Sequence, residues 1–341
     1  MKPILLSAIA VMLGWLSPAS AEQVVNIYSG RHYDTDERLY SEFTKQTGIK
    51  VNRIEDNPAA LIARIKAEGA ASPADVYLIT DAGRLWTAVK AGLFQPVHST
   101  ILDKRIPPEY RHPDGLWFGF SRRARIIFYD KTRIDPSGLT TYASLADPKY
   151  KGLVCTRSST DVYMVSMLAA EIAHSGAQRA EAWARGMWNN RARDPEGADL
   201  DQIRSVASGQ CGIAVANTYY FARALRAGNM PGLQHPGPID KIAWTFPDQK
   251  GNGAHVNISG AGVLKYAPDK ADAIKFLEYL ASDSAQRYFA SGNDEYPVVA
   301  GVAIDPVVAS LGTFKADTLN LAALGTNQDK AIEIYNRIGY K

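Results

Sequence analysis

The 341-residue chain sets 38 lysines and arginines against 35 aspartates and glutamates, a formal net charge of +3, and contains only two cysteines. That near balance, with no aromatic residues interleaved along a basic stripe, excludes a protein that tracks a nucleic-acid phosphate backbone; the cluster Arg122, Arg123, Arg125 is too small for the task. The mature chain of roughly 320 residues exceeds what one hydrophobic core usually serves, so two lobes are expected.

Lys2, the apolar run Ile4 to Leu16 and the small residues Ala19-Ser20-Ala21 have the pattern of an export signal. Cleavage after Ala21 is expected to start the mature protein at Glu22, with a charge near +2 once Lys2 is lost. The leader is too short to span a membrane, and no later segment offers the ~20 uninterrupted apolar residues a span needs. No cysteine adjoins the cleavage site, which excludes anchoring through an acylated N-terminal cysteine. In the oxidising compartment beyond the membrane, Cys155 and Cys211 are expected to form a disulfide.

Val24 to Tyr28 has a strand pattern, followed by a turn at Ser29-Gly30. Asp34, Thr35, Asp36 and Glu37 suit a helix N-terminus, and Leu39, Phe43 and Gly48 complete a short amphipathic helix. Ile49 to Ile54 reads as a strand, Asn57-Pro58 opens a helix that runs to Gly69, Pro73 to Ile79 is a buried strand, and Ala82 to Ala91 is a helix. Trp117 to Phe120 and Ala124 to Tyr129 read as two extended segments around the arginines, where the chain crosses between lobes. The second lobe is expected from strand Gly152 to Thr156, helices Asp161 to His174 and Ala177 to Trp188, and strand Gly212 to Ala216. Asn257 to Val263 reads as a strand returning to the first lobe, and Asp269 to Ala290 and Gln328 to Ile338 as helices. Strands alternate with helices, so the fold class is α/β.

Three segments share one address in that pattern. Arg31-His32-Tyr33 follows the first strand, Tyr163 lies eight residues beyond Cys155, and Tyr219-Tyr220 begins eight residues beyond Cys211. Each sits where a strand's C-terminal end feeds a helix N-terminus, the position at which open α/β sheets bind ligands. Four phenols and one imidazole at such sites point to a hard trivalent ion, since a phenol stays protonated at neutral pH unless a strong positive charge displaces the proton. Ferric iron is the abundant candidate, and its expected ligands are Tyr33, Tyr163, Tyr219 and Tyr220, with His32, beside Tyr33, read as either a ligand or a capping residue. Four phenolates around a 3+ ion leave a formal −1, for which Arg123, with Arg122 as the alternative, is the expected compensation. His98, His112, His174, His235 and His255 show no metal-ligand spacing and are read as structural.

The stretches Tyr28 to Asp36, Ser72 to Val76, Arg157 to Ser159 with Tyr163, Ala216 to Tyr220 and His255 to Val263 together resemble the periplasmic ferric-iron-binding proteins of the cyanobacterial FutA kind, the substrate-binding components of iron ABC transporters. The resemblance implies a hinged, two-lobed type II periplasmic-binding-protein fold with two chain crossings and a bridged cysteine pair. It also implies that the matching positions of His32, Tyr33, Tyr163, Tyr219 and Tyr220 surround iron. It sets the lobes at about 22–121 with 245–297 and 122–244 with 298–341, after the 1–21 signal peptide. The implied partners are an inner-membrane permease and its ATPase; the chain has no phosphate-binding loop of its own, and a monomer is expected. Relatives that add a glutamate ligand and an exogenous anion carry the glutamate where Ala59 stands here, and Asp161 stands where the family is expected to have asparagine.

Two other readings fit less of the sequence. One keeps the fold but gives it a small organic or oxyanion solute, read by Arg123 and the helix N-termini. The other is an exported enzyme, against which stand the missing Gly-x-Ser-x-Gly elbow and the expected oxidation of both cysteines.

Overall fold

The computed structural model describes residues 22–31, 36–228 and 239–341. The leader with its cleavage site, His32, Tyr33 and His235 lie outside these residues. The strands are β1 (Val24–Ser29), β2 (Lys50–Glu55), β3 (Val76–Thr80), β4 (Phe118–Asp130), β5 (Val154–Cys155), β6 (Ile213–Asn217), β7 (Ile242–Thr245), β8 (Val256–Val263) and β9 (Tyr296–Pro297). The first four helices are α1 (Glu37–Thr47), α2 (Pro58–Glu68), α3 (Ala82–Lys90) and α4 (Thr100–Arg105). The next four are α5 (Val162–Ser175), α6 (Ala177–Asn189), α7 (Asp199–Ala207) and α8 (Thr218–Ala227). The last are α9 (Lys270–Leu280), α10 (Asp283–Asn293), α11 (Pro306–Ala309), α12 (Ala322–Thr326) and α13 (Gln328–Ile338).

The strand order β2-β1-β3-β8-β4-β6-β5 explains how two lobes share one chain path. β1 pairs in parallel with β2 and β3, as crossover helices require, and β8 then runs antiparallel to both β3 and β4. The first half of β4 pairs with β8, whereas its second half, from Arg125, pairs with β6 and β7. One strand therefore belongs to both halves of the molecule, the arrangement of a two-lobed type II fold. In place of the two extended segments read from the sequence, β4 is a single strand of 13 residues. Its polar middle stays in the ladder because Arg122, Arg123 and Ala124 pair with Ile258, Asn257 and Val256.

Period-two alternation decides which core each strand residue serves. Ile126 and Phe128 of β4, with Ala214 and Ala216 of β6, enter the cluster that also holds Val25, Phe43, Ile258 and Phe276. Ile127 and Tyr129, with Ile213 and Val215, face a second cluster built on Leu145, Met164, Leu168, Trp183, Met187 and Ile334.

Local chemistry sets the helix boundaries. The Asn57 side chain accepts hydrogen bonds from the Ala59 and Ala60 amides, and Pro58 opens α2 at the position that needs no N–H. The helix expected from Asp269 to Ala290 is instead two helices, because the Ser282 hydroxyl caps α10 by accepting from the Ala285 amide. The α7 helix has no counterpart in the sequence reading. Its buried face carries Asp199, Gln202 and Ser205 beside Ile203 and Val206, so the apolar stripe that announces a helix is interrupted.

Candidate functional site

β5 and β6 are parallel neighbours, with Val154 opposite Ile213 and Cys155 opposite Ala214. Cys155 and Cys211 form the expected disulfide, their Cα atoms 6.0 Å apart. The chain leaves β5 through Thr156 to Asp161 into α5, and leaves β6 directly into α8. Tyr163 is therefore the second residue of α5, and Tyr219 and Tyr220 are the second and third of α8. Two parallel strands thus deliver their phenols to one sheet edge, beside two helix N-termini.

The Asp161 side chain fixes the start of α5 by accepting from the Tyr163 amide at 3.0 Å. The rings of Tyr219 and Tyr220 lie with centroids 4.2 Å apart at 32°. Tyr219 is buried, Tyr220 and Tyr163 are partly exposed, and the Arg223 guanidinium sits 5.0 Å from the Tyr219 ring centre, one helical turn along.

Tyr163 is ringed by cations. The guanidinium carbons of Arg157, Arg123 and Arg125 stand 5.1, 5.8 and 5.8 Å from its ring centre. Arg123 and Arg125 project from the same face of β4 and are 1% exposed, so each has left water at a cost that only nearby negative charge offsets. Arg125 meets that need through Asp199, to whose two carboxylate oxygens it donates at 3.1 and 3.0 Å. Arg123 is less fully met. It donates to the Ser259 hydroxyl at 3.2 Å and stands 3.9 Å from Glu295, while its Nε and Nη2 have no hydrogen-bond partner among the described residues. Burial works against the charge on Arg123, yet Tyr163, Glu295, Tyr219 and Asp81 more than offset it and hold the guanidinium above its ordinary value. Arg123 is thus a buried cation facing the Tyr163 ring, with two donors that no described residue engages.

The segment carrying His32 and Tyr33 is flanked by residues tied to the same network. Arg31, fully buried, donates to Asp36 at 2.8 Å and stands 3.5 Å from Glu295. Glu295 also accepts from Ser121 at 2.6 Å, so one carboxylate joins Arg31 to Arg123. A further link joins α3 to α5 and β8: Asp81, held at φ 81°, accepts from Ser166 at 2.7 Å and from Asn257 at 2.9 Å.

Arg122, the alternative compensating residue, faces away from the phenols. It donates to the Tyr110 hydroxyl and the Pro297 carbonyl and lies over the Tyr110 and Phe314 rings. The alternation that turns Arg122 away brings Arg125 onto the Arg123 face, a signal the sequence contained and the reading did not use. Arg157 and Arg223 were also missed; Arg223 is signalled by its four-residue spacing from Tyr219. Ala59, second in α2, is exposed and offers no side-chain ligand. The other described histidines have local roles or surface positions. His98 is exposed, His112 accepts from the Asp114 amide, His174 is 2.6 Å from Asp317, and His255 is buried. Among the described residues no three histidine, cysteine, aspartate or glutamate side chains gather as a metal site, and no helix is long and apolar enough to cross a membrane.

Comparison with known proteins shows the family. Residues 38–316 match the model of the bacterial extracellular solute-binding proteins. Iron uptake protein A1 of Synechocystis sp. is 48% identical over 320 residues, covering 94% of this chain and 88% of that protein. Among solved structures, the Trichodesmium protein IdiA (FutA), in complex with iron and citrate ligands, superposes with a TM-score of 0.88 at 50% identity, covering 93% of this chain and all of that one. The ferric iron-binding protein A of Mannheimia haemolytica, in an open conformation, gives 0.86 at 38% identity, covering 93% of this chain and 99% of that one. With its two-lobed α/β fold, this chain belongs to the bacterial extracellular solute-binding proteins, in their branch of periplasmic ferric-iron-binding proteins.

Proposed function

We propose that this protein captures ferric iron in the periplasm through tyrosine phenolates and delivers it to an ABC permease for uptake. It binds and carries rather than catalyses, as do the relatives named for iron uptake. The observation that carries the reading is the pairing of opposite needs at one sheet edge: Tyr163, Tyr219 and Tyr220 come together beside Arg123, a fully buried cation with two unused donors.

Fe³⁺ displaces the phenol protons, and the four phenolates of Tyr33, Tyr163, Tyr219 and Tyr220 give the loaded site a formal −1 that Arg123 balances. His32 joins the first lobe's share of the ligand set. Arg31, Asp36 and Glu295 anchor the flanks of that share to the β4 cations. The lobes divide near 22–121 with 245–297 and 122–244 with 298–341, and hinge on the β4 and β8 crossings. Tight binding then requires closure, since the two lobes hold separate halves of the ligand set. The mature protein starts at Glu22 after signal cleavage, works as a monomer, and leaves ATP hydrolysis to the permease's partner subunit.

Visible spectroscopy tests the site. Iron-loaded protein shows a phenolate-to-iron charge-transfer band, and Tyr219→Phe and Tyr220→Phe each weaken the band and the affinity. The loss exceeds the roughly 10- to 100-fold typical of removing an outer-shell partner. If both variants keep full colour and affinity, the site is wrongly placed.

A further inference from the structure

Of the three guanidiniums around Tyr163, Arg157 is the nearest, at 5.1 Å from the ring centre. It is also the only one near the surface, its side chain 18% exposed against 1% and 2% for Arg123 and Arg125. Its close partner is Asp161, at 2.7 Å, while Asp199 stands at 3.9 Å and is already claimed by Arg125. The Arg157 Nε has no hydrogen-bond partner among the described residues. Asp161 serves two purposes with two oxygens: Oδ1 accepts from the Tyr163 amide and Oδ2 holds Arg157.

We propose that Arg157 and Asp161 form a charge-setting pair for the iron site, in which Arg157 is a positioning residue acting through Tyr163 and Asp161 sets how much of its charge the bound metal feels. The inference rests on the ligand set proposed above. Loading turns a set of neutral phenols and a free ion into a complex of formal charge −1, so any nearby positive charge favours the loaded state, and adding an electron to the complex sharpens that preference. Removing Arg157 takes positive charge away. Replacing Asp161 by asparagine keeps an oxygen for the Tyr163 amide and the shape of the cap, but leaves Arg157 with only the more distant Asp199, shared with Arg125, as counter-charge. The two changes therefore act on the metal with opposite sign, which a merely structural role would not produce.

The test uses the full mature protein loaded with Fe³⁺, with affinity measured by chelator competition and the reduction potential of the bound iron by spectroelectrochemistry. Arg157→Gln weakens Fe³⁺ binding by about tenfold and lowers the potential, within the range for outer-shell changes. Asp161→Asn raises the potential and leaves affinity equal or tighter. Arg157→Lys, which keeps the charge without the guanidinium, recovers most of the potential. Thermal melts of the iron-free variants identify any loss of folding, and the potential, read on the loaded fraction, remains interpretable when stability falls. Potentials that move in the same direction in Arg157→Gln and Asp161→Asn, or that do not move, overturn the pair. Tyr163→Phe with unchanged colour and affinity overturns the ligand set itself, and the pair with it.

Discussion

Removing the Cys155–Cys211 bridge tests how far the second lobe depends on a covalent tie. The cysteines are 56 residues apart, and closing a loop of that length removes about 4 kcal/mol of unfolded-chain entropy. Both side chains are buried, at 1% and 0% exposure, so the suitable variant is Cys155→Ala with Cys211→Ala, because serines would bury unpaired hydroxyls. At roughly 2–4 °C per kcal/mol, the scale for domains of some 200 residues, the melting temperature should fall by roughly 8–16 °C. Chemical denaturation of oxidised and reduced wild-type protein, followed by tryptophan fluorescence, separates the cross-link from the packing of the two sulfurs. The native fold should keep its iron colour, since the segment remains hydrogen-bonded on both sides: Val154 to Asn190 and Ala192 on one, and the Leu153 carbonyl, which accepts from the Ile213 amide, on the other. If the double variant and the reduced protein both melt within 2 °C of the oxidised wild type, the bridge contributes no loop constraint and the reasoning fails.

Further outcomes follow from buried groups elsewhere. Burial pushes the His255 imidazole down to about 4, so between that value and 6.5 the unfolded chain binds a proton that the folded protein does not. Stability from this residue is full above pH 6.5 and is lost as pH falls toward 4, by up to about 3 kcal/mol. His255→Phe should flatten the pH dependence of the urea midpoint between pH 7 and 4.5, and an unchanged slope would refute the assignment. At the contact of α12 with α3, a Cβ added to Gly325 would run into the Trp86 side chain at Cβ and Cγ. Gly325→Ala should therefore cost about 1–3 kcal/mol by overpacking, read as a lower denaturation midpoint. A midpoint equal to wild type would mean that the tryptophan moves aside freely.

The positions of Tyr163, Tyr219 and Tyr220 at helix starts were legible because that placement is local. A strand pattern, a turn and a helix start occur within a dozen residues, and Tyr163 and Tyr219 each follow a cysteine by eight. The bridge was legible because an exported chain with only two cysteines has one way to pair them. The α13 helix was legible to the residue, since its apolar stripe is intact and Gly339 ends it in the left-handed conformation. The break between α9 and α10 was not, because apolar residues at four-residue spacing, Leu277, Ala281, Ala285 and Phe289, continue through it and only the Ser282 cap decides the matter.

The cations that complete the site were harder to see, for a physical reason. A charged cluster inside an extended segment reads as a solvated interruption, yet in β4 Arg123 and Arg125 are 1% exposed and only Arg122 is partly exposed. What makes burial tolerable comes from far along the chain: Asp199 for Arg125, and for Arg123 Glu295, which lies more than 170 residues away and serves Arg31 as well. Asp199 opens α7, a helix hidden from the sequence reading by its polar inner face, so the partner and the element that presents it were missed together. Strand and helix periodicity can thus locate ligands that follow their own strand. Compensating charge is a property of the assembled molecule, and it becomes visible only when the segments packed against β4 are known. That is why one arginine of the β4 cluster was assigned from charge balance, while Arg125 and Arg157 had to wait for the structure.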